Sequence, residues 1–133
     1  MKQLLRTGVA LVIALLGASA PAPAHHSLQS EYDIDQSITL KGTVTKVDWV
    51  NPHVYVYLDV KDDKGATATW ALEATNQRAI LNNGVKKEDV RPGDHIKVRC
   101  HLLRDGARGC LLGFITPMHG DAARGNGVEI EWD

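Results

Sequence analysis

The chain has 133 residues, of which 44% are hydrophobic, and its 15 basic and 16 acidic residues give a net charge of −1. That length fits one small domain. A chain without net positive charge is a poor nucleic-acid binder, because such binding depends on neutralising phosphate groups, so no nucleic-acid partner is expected.

The first two dozen residues have the pattern of a secretory signal peptide. Basic residues precede the apolar run GVALVIALL (residues 8–16), which is too short for a membrane span of about 20 residues. Cleavage after Ala24 is favoured over cleavage after Ala20, because Pro21 would lie directly past the earlier cut and proline is poorly accepted there. The sequence therefore predicts a signal peptide over residues 1–24 and a periplasmic or secreted protein without a membrane attachment. An uncleaved anchor is the alternative.

The mature chain would begin at His25. Removal of 24 of the 133 residues leaves 109, with 13 basic and 16 acidic residues and a net charge near −3. An even number of cysteines in an oxidising compartment favours a disulfide between Cys100 and Cys110. The two lie at similar distances from the turn at residues 104–106, as partners across a hairpin would. Two reduced, buried cysteines are the alternative.

Alternating apolar residues predict a mainly β domain over residues 38–117, after a polar N-terminal arm at 25–37. The alternation in the first strand changes phase after Val44, and together with Gly42 this indicates a bulge or a sharp coil. Five strands are predicted, at residues 38–49, 54–60, 66–73, 96–102 and 109–116.

The segment NQRAIL (residues 76–81) predicts one short helix, which ends at Asn82-Asn83-Gly84. Three strands, a helix and two further strands is the order of an OB-like five-stranded barrel. An SH3-like barrel and a small sandwich are the alternatives. A polar C-terminal tail, residues 118–133, follows and includes a candidate short strand at 128–132.

The predicted mature terminus is a candidate metal site. Cleavage before His25 frees an α-amine with a pKa near 7.7 beside an imidazole with a pKa near 6.5. Together they form a two-nitrogen chelate that suits Cu(II) ahead of Ni(II) or Zn(II), and His26 adds a third nitrogen. Copper is accordingly the expected cofactor, if the protein has one. A frayed terminus whose histidines bind nothing is the alternative.

Three further residues are candidate metal ligands. In Trp49-Val50-Asn51-Pro52-His53 the proline restricts the backbone just before His53, so this imidazole leaves a rigid turn. Its alternative role is structural, with the ring bonded to a neighbouring carbonyl and packed on an aromatic residue. Met118 and His119 offer a thioether and an imidazole that favour copper, although adjacent residues of an extended strand point opposite ways.

The remaining side chains suggest binding rather than catalysis. No motif for a zinc finger, a metalloprotease, a P-loop or a hydrolase elbow is present, so no catalytic residue is assigned and the chain is not expected to be an enzyme. Tyr55, Tyr57 and Trp70 are candidates for a platform that holds a small molecule, a glycan or a protein partner. Core filling is their alternative role. His95 and His101 are predicted to be surface residues.

The chain resembles a family of small exported bacterial proteins of unknown function. The resemblance is carried by Ala-His-His-Ser at the mature start, by LKGTVTKVDWVNPH, by WALE and by VRPGDHIKV, and it runs from about His25 to Phe114. The paired cysteines and the closing segment depart from the family's usual pattern. The resemblance implies an exported small β-barrel with no established activity. Its recurring motifs fall on His25, His26, Ser27, Trp49, Asn51, Pro52 and His53.

Overall fold

The computed structural model describes residues 27–133, so the predicted signal peptide, His25 and His26 lie outside the described residues. Secondary structure matches the predicted order, with an added one-turn helix in the arm. The helices are α1 (Leu28–Glu31) and α2 (Gln77–Asn82), with a 3-10 turn at Ala122–Arg124. The strands are β1 (Ile38–Asp48), β2 (Tyr55–Lys61), β3 (Thr67–Glu73), β4 (His95–Leu102), β5 (Gly109–Pro117) and β6 (Ile130–Glu131).

Five of the strands form a closed barrel. They hydrogen-bond in the order β3-β2-β1-β4-β5, and a parallel pairing of β3 with β5 closes the ring. That pairing runs from Ala71 opposite Gly109 to Glu73 opposite Leu111, and every other pairing in the ring is antiparallel. This connectivity, with α2 between β3 and β4, confirms the predicted OB-like barrel.

Strand β1 is long because its two halves pair with different neighbours. Residues 38–43 pair with β4, whereas residues 43–48 pair with β2, so the strand must coil across the barrel. The register against β2 shifts between Val44 and Lys46, which is the irregularity that the change of phase predicted. Gly42 lies at the coil, where a β-carbon would come within 2.2 Å of the Asp59 carbonyl oxygen. Glycine is therefore required there by close backbone approach.

The inward residues of the five strands fill the barrel with aliphatic side chains. Val56 and Leu58 of β2, Leu72 of β3 and Val98 of β4 have no exposed surface. Ile80 of α2 is equally buried, so this helix closes one end of the barrel. The helix begins where the Asn76 side chain accepts a hydrogen bond from the Ala79 amide, at 3.0 Å.

The predicted disulfide is confirmed. Cys100 of β4 and Cys110 of β5 are bonded, with Cα atoms 5.7 Å apart, and both residues are 1% exposed. The bond therefore links two adjacent strands of the ring, β4 and β5, inside the core.

The C-terminal segment, residues 118–133, packs onto the barrel. Its short strand β6 pairs with Phe114 and Ile115 of β5. Trp132 follows and is 1% exposed, so this aromatic side chain belongs to the core. The Arg124 guanidinium donates to the Asp94 carboxylate in the turn before β4, which ties the segment to a second part of the barrel.

The described part of the N-terminal arm lies against β4 and the turn after it. Tyr32 forms a β-bridge with Leu103, and the Asp33 amide donates to the Leu102 carbonyl at 2.9 Å. The arm is therefore held on the barrel at Tyr32 and Asp33. Within residues 27–133, no helix is both long and apolar enough to cross a membrane.

Candidate functional site

His53 lies in the connection between β1 and β2, directly after a cis Asn51-Pro52 peptide bond. Its side chain is 43% exposed, and its Nδ1 donates a hydrogen bond to the Glu73 carboxylate. The partner is therefore a carboxylate on a neighbouring strand. The hydrogen bond goes to a side-chain carboxylate and not to the backbone carbonyl that the structural alternative named.

Glu73 reaches His53 because of the alternation along β3. Leu72 points into the barrel with no exposed surface, so Glu73 points outward, where it lies opposite Tyr55 of β2. The Glu73 side chain is only 15% exposed. Burial of a carboxylate is costly unless hydrogen-bond donors surround it.

Tyr32 supplies a second donor to the same carboxylate. Its hydroxyl donates to Oε2 of Glu73, while Nδ1 of His53 donates to Oε1. Burial, followed by the hydrogen bond to Glu73, raises the pKa of Tyr32 well above its ordinary value, so the phenol stays protonated and remains a donor. Tyr55 lies beside the group, and burial together with the Glu73 charge raises its pKa as well.

This arrangement leaves one nitrogen of His53 free of hydrogen bonds to the described residues. A carboxylate only accepts, so the proton of the imidazole is on Nδ1 and the lone pair of a neutral ring is on Nε2. Within the described residues, Nε2 has no hydrogen-bond partner. Carboxylate-supported imidazoles of this kind are frequent among metal ligands, because the carboxylate orients the ring and raises its basicity.

The structure does not bring the other predicted metal ligands that it describes together with His53. His25 and His26 lie outside the described residues. His119 has both ring nitrogens engaged with backbone groups, since Nδ1 accepts from the Asp121 amide and Nε2 faces the Asp89 carbonyl, each at 3.1 Å. Met118 is exposed. Among residues 27–133 no three His, Cys, Asp or Glu side chains form a group that could hold a metal ion.

The predicted aromatic platform is not one surface. Tyr55 and Tyr57 lie on the outer face of β2, stacked with centroids 6.4 Å apart. Trp70 is opposite Leu58 in the β2–β3 register and packs against the core, so it points to the inner face. The inclusion of Trp70 in the platform was wrong, because its position along β3 shares the inward phase of Leu72.

His95 and His101 lie on the outer face of β4. His95 is exposed and its Nδ1 is 3.1 Å from the Thr43 hydroxyl. His101 is half-buried by the arm, since its Nδ1 donates to the Gln36 carbonyl at 2.8 Å. Both therefore point away from the core, as predicted.

The sequence reasoning missed two members of the site, Tyr32 and Glu73. Glu73 could have been identified from the sequence, because the alternation along β3 predicts that this carboxylate points outward at the end of the strand. No comparable signal exists for Tyr32, whose position depends on how the arm crosses the barrel.

These observations define a small OB-like β-barrel with a carboxylate-supported histidine on its outer surface. The chain belongs to the DUF6152 family, a family of unknown function, whose model matches residues 12–112. The predicted resemblance to a family of unknown function is thereby confirmed.

Among solved structures, the chain is similar to the mitochondrial single-stranded DNA-binding protein Rim1 of S. cerevisiae. The likeness has 13% sequence identity and a TM-score of 0.48, and it covers 65% of this chain and 97% of that one. A likeness of this degree says nothing about what this chain binds. No curated protein matches the chain.

Proposed function

We propose that this protein is an exported module that binds a transition metal ion, copper first, through His53 and a mature terminus at His25. His26 is an additional donor in this proposal, which assigns binding and no catalysis. The observation that carries it is the hydrogen bond from Nδ1 of His53 to Glu73, which leaves Nε2 as the outward donor atom.

Export is supported by two independent features. The first 24 residues have the three parts of a signal peptide, a basic start, an apolar run and a small-residue cleavage site. The buried Cys100–Cys110 disulfide is typical of proteins that fold in an oxidising compartment.

The chain reaches from the docked arm to the predicted mature terminus over a short distance. His25 precedes Tyr32 by seven positions, and the four residues Leu28–Glu31 between them are helical. Helical residues advance about 1.5 Å each and extended ones at most about 3.6 Å, so a chain of this length spans at most roughly 20 Å. Since Tyr32 and His53 share the Glu73 carboxylate, the terminus and His53 can supply donors to one ion.

Nitrogen donors of this kind suit Cu(II). An α-amine and imidazoles favour tetragonal coordination, and Cu(II) leads the divalent first-row ions in affinity. Within residues 27–133, His53 belongs to no group of three or more His, Cys, Asp or Glu side chains that could hold a metal ion. The proposal therefore requires the terminus, and this requirement makes it easy to test.

The test is titration of the mature protein, beginning at His25, with Cu(II) monitored by electron spin resonance. We expect a tetragonal spectrum with nitrogen hyperfine splitting and a loss of roughly tenfold or more in affinity for His53→Ala. Acetylation of the His25 α-amine should weaken binding as well, because it removes the amine nitrogen from the chelate. His95→Ala, an exposed histidine on β4, is the matched control. An aqua-like spectrum, or equal affinity in all variants, would reject the proposal.

A second candidate function is favoured by the stacked pair of Tyr55 and Tyr57. The pair is half-exposed, its ring planes are 26° apart, and the Lys46 ammonium lies 5.6 Å from the Tyr57 ring centroid. Such a surface suits a small molecule, a glycan or a protein partner. Binding through it would survive acetylation of the α-amine and would be lost in Tyr57→Ala, so the two functions are separable.

A further inference from the structure

Arg104, in the turn after β4, contacts the N-terminal arm at several points. Nε of Arg104 donates to the Gln29 carbonyl and its backbone amide donates to the Glu31 carbonyl, each at 2.9 Å. Its guanidinium also lies 3.8 Å from the Asp33 carboxylate. These contacts lie on both sides of Tyr32, so Arg104 contributes, with the Tyr32–Leu103 bridge, to the position of Tyr32 on the barrel.

Tyr32 then connects the arm to His53 through a single carboxylate. Its side chain is buried, with the residue 4% exposed, and its hydroxyl and the His53 imidazole donate to different oxygens of Glu73. A rotation of the carboxylate that favoured one donor would weaken the other. Docking of the arm therefore restricts the orientation of Glu73, and through it the ring of His53.

We infer that Tyr32 is a positioning residue, through which docking of the arm sets the tautomer and orientation of His53. Where a metal is concerned, this inference rests on the proposed function. The effect on His53 itself requires no metal.

Coupling of this kind acts in both directions. If docking increases the affinity of the site for copper, bound copper must stabilise docking by the same factor. The Asp33 amide reports docking directly, because it donates to the Leu102 carbonyl at 2.9 Å. Copper should therefore slow its hydrogen exchange.

The first measurement is the tautomer of His53 in the metal-free mature protein, read from long-range nitrogen–proton NMR correlations. The unmodified protein should show the proton on Nδ1. Tyr32→Phe removes one hydroxyl and keeps the ring. Arg104→Ala removes the side-chain contacts to Gln29 and Asp33 and keeps the Tyr32 hydroxyl. Both variants should shift His53 toward a mixture of tautomers. Tyr57→Phe, a tyrosine on the outer face of β2, is the matched control and should leave the tautomer unchanged.

The second measurement is Cu(II) affinity and Asp33 exchange in the same variants. Tyr32→Phe should lower the affinity roughly tenfold, as is usual when a group that supports a metal ligand is removed. Copper should slow Asp33 exchange in the unmodified protein and fail to do so in His53→Ala.

The outcomes separate this inference from the proposed function. Unchanged His53 tautomers in both Tyr32→Phe and Arg104→Ala would overturn the inference, even if copper binds at His53. Altered tautomers in a protein that retains no copper would uphold the positioning role and remove the metal from the proposed function.

Discussion

Trp132, the second-last residue of the chain, packs against Trp49 with ring centroids 5.6 Å apart and ring planes inclined by 43°. Its backbone is held on both sides, since its amide donates to the Gly113 carbonyl at 2.8 Å and its carbonyl accepts from the Thr75 amide at 3.1 Å. The Lys87 ammonium lies 5.1 Å from the centroid of the Trp49 ring. Trp132 is therefore part of the core. It also supports the Trp49 side chain, which precedes the turn that leads to His53.

Substitution of Trp132 by alanine should strongly destabilise the barrel. The side chain is among the largest fully buried ones in the described chain, and its removal leaves a cavity that the strands cannot fill. We expect a loss of about 3–5 kcal/mol in the free energy of unfolding, measured by urea denaturation. Val128→Ala in the same segment is the control, because Val128 is 56% exposed and should lose little. A similar small loss for both variants would mean that Trp132 is not part of the core.

How far the sequence predicts this fold depends on the range of the interactions. The strands were predictable because alternation is local: Val54, Val56 and Leu58 recur every second residue and are all buried. The role of Trp132 was not, because a single aromatic residue in a glycine-rich, polar segment has no periodicity. Trp132 is buried because the chain returns to the end of the barrel directly after β6.

The candidate site shows the same limit. His53 could be singled out because proline restricts its turn, which is a property of adjacent residues. Its interaction with Glu73 spans 20 positions, and that of Tyr32 with Glu73 spans 41. Periodicity indicates that such side chains point outward. It does not indicate which outward side chains the arm will cover.

Gly42→Ala should destabilise the protein by overpacking. A β-carbon at Gly42 would be 2.2 Å from the Asp59 carbonyl oxygen and 2.9 Å from the Leu58 side chain, so β1 and β2 would have to separate. We expect a loss of about 1–3 kcal/mol or more, visible as a lower melting temperature. Gly113→Ala is the matched control on β5, because the nearest atom to its added β-carbon is the Arg99 carbonyl oxygen at 3.4 Å. Equal melting temperatures for the two variants would contradict the close approach at Gly42.

Removal of the disulfide should lower stability without unfolding the barrel. Cys100 and Cys110 are separated by 10 positions, and a loop of this size corresponds to about 2–3 kcal/mol of stabilisation through the unfolded state. The double variant Cys100→Ala with Cys110→Ala should lose about that amount in urea denaturation. A reducing agent should destabilise the unmodified protein to a similar degree and leave the double variant unchanged. If the reducing agent also destabilised the double variant, its effect on the unmodified protein could not be assigned to the disulfide.

The ion pair of Asp94 and Arg124 should make stability depend on acid pH. Burial by itself would raise the pKa of Asp94. The Arg124 guanidinium and the Arg91 amide, which donates at 2.8 Å, outweigh that effect and lower the pKa below its ordinary value. The unfolded chain has the ordinary pKa near 3.9 and takes up protons first as the pH falls. The stabilisation is therefore present in full above the unfolded value and is lost as the pH falls through the folded one.

Asp94→Asn tests this dependence. At neutral pH the variant should lose about 1–3 kcal/mol, because a charge-assisted hydrogen bond of a largely buried pair is removed. Between about pH 5 and pH 2 the free energy of unfolding should fall less steeply in the variant than in the unmodified protein, as measured by urea denaturation at several pH values. Asp63→Asn, in the exposed β2–β3 turn, is the control and should keep the original slope. If Asp94→Asn keeps the original slope too, the acid dependence arises from other carboxylates and not from the ion pair of Asp94 and Arg124.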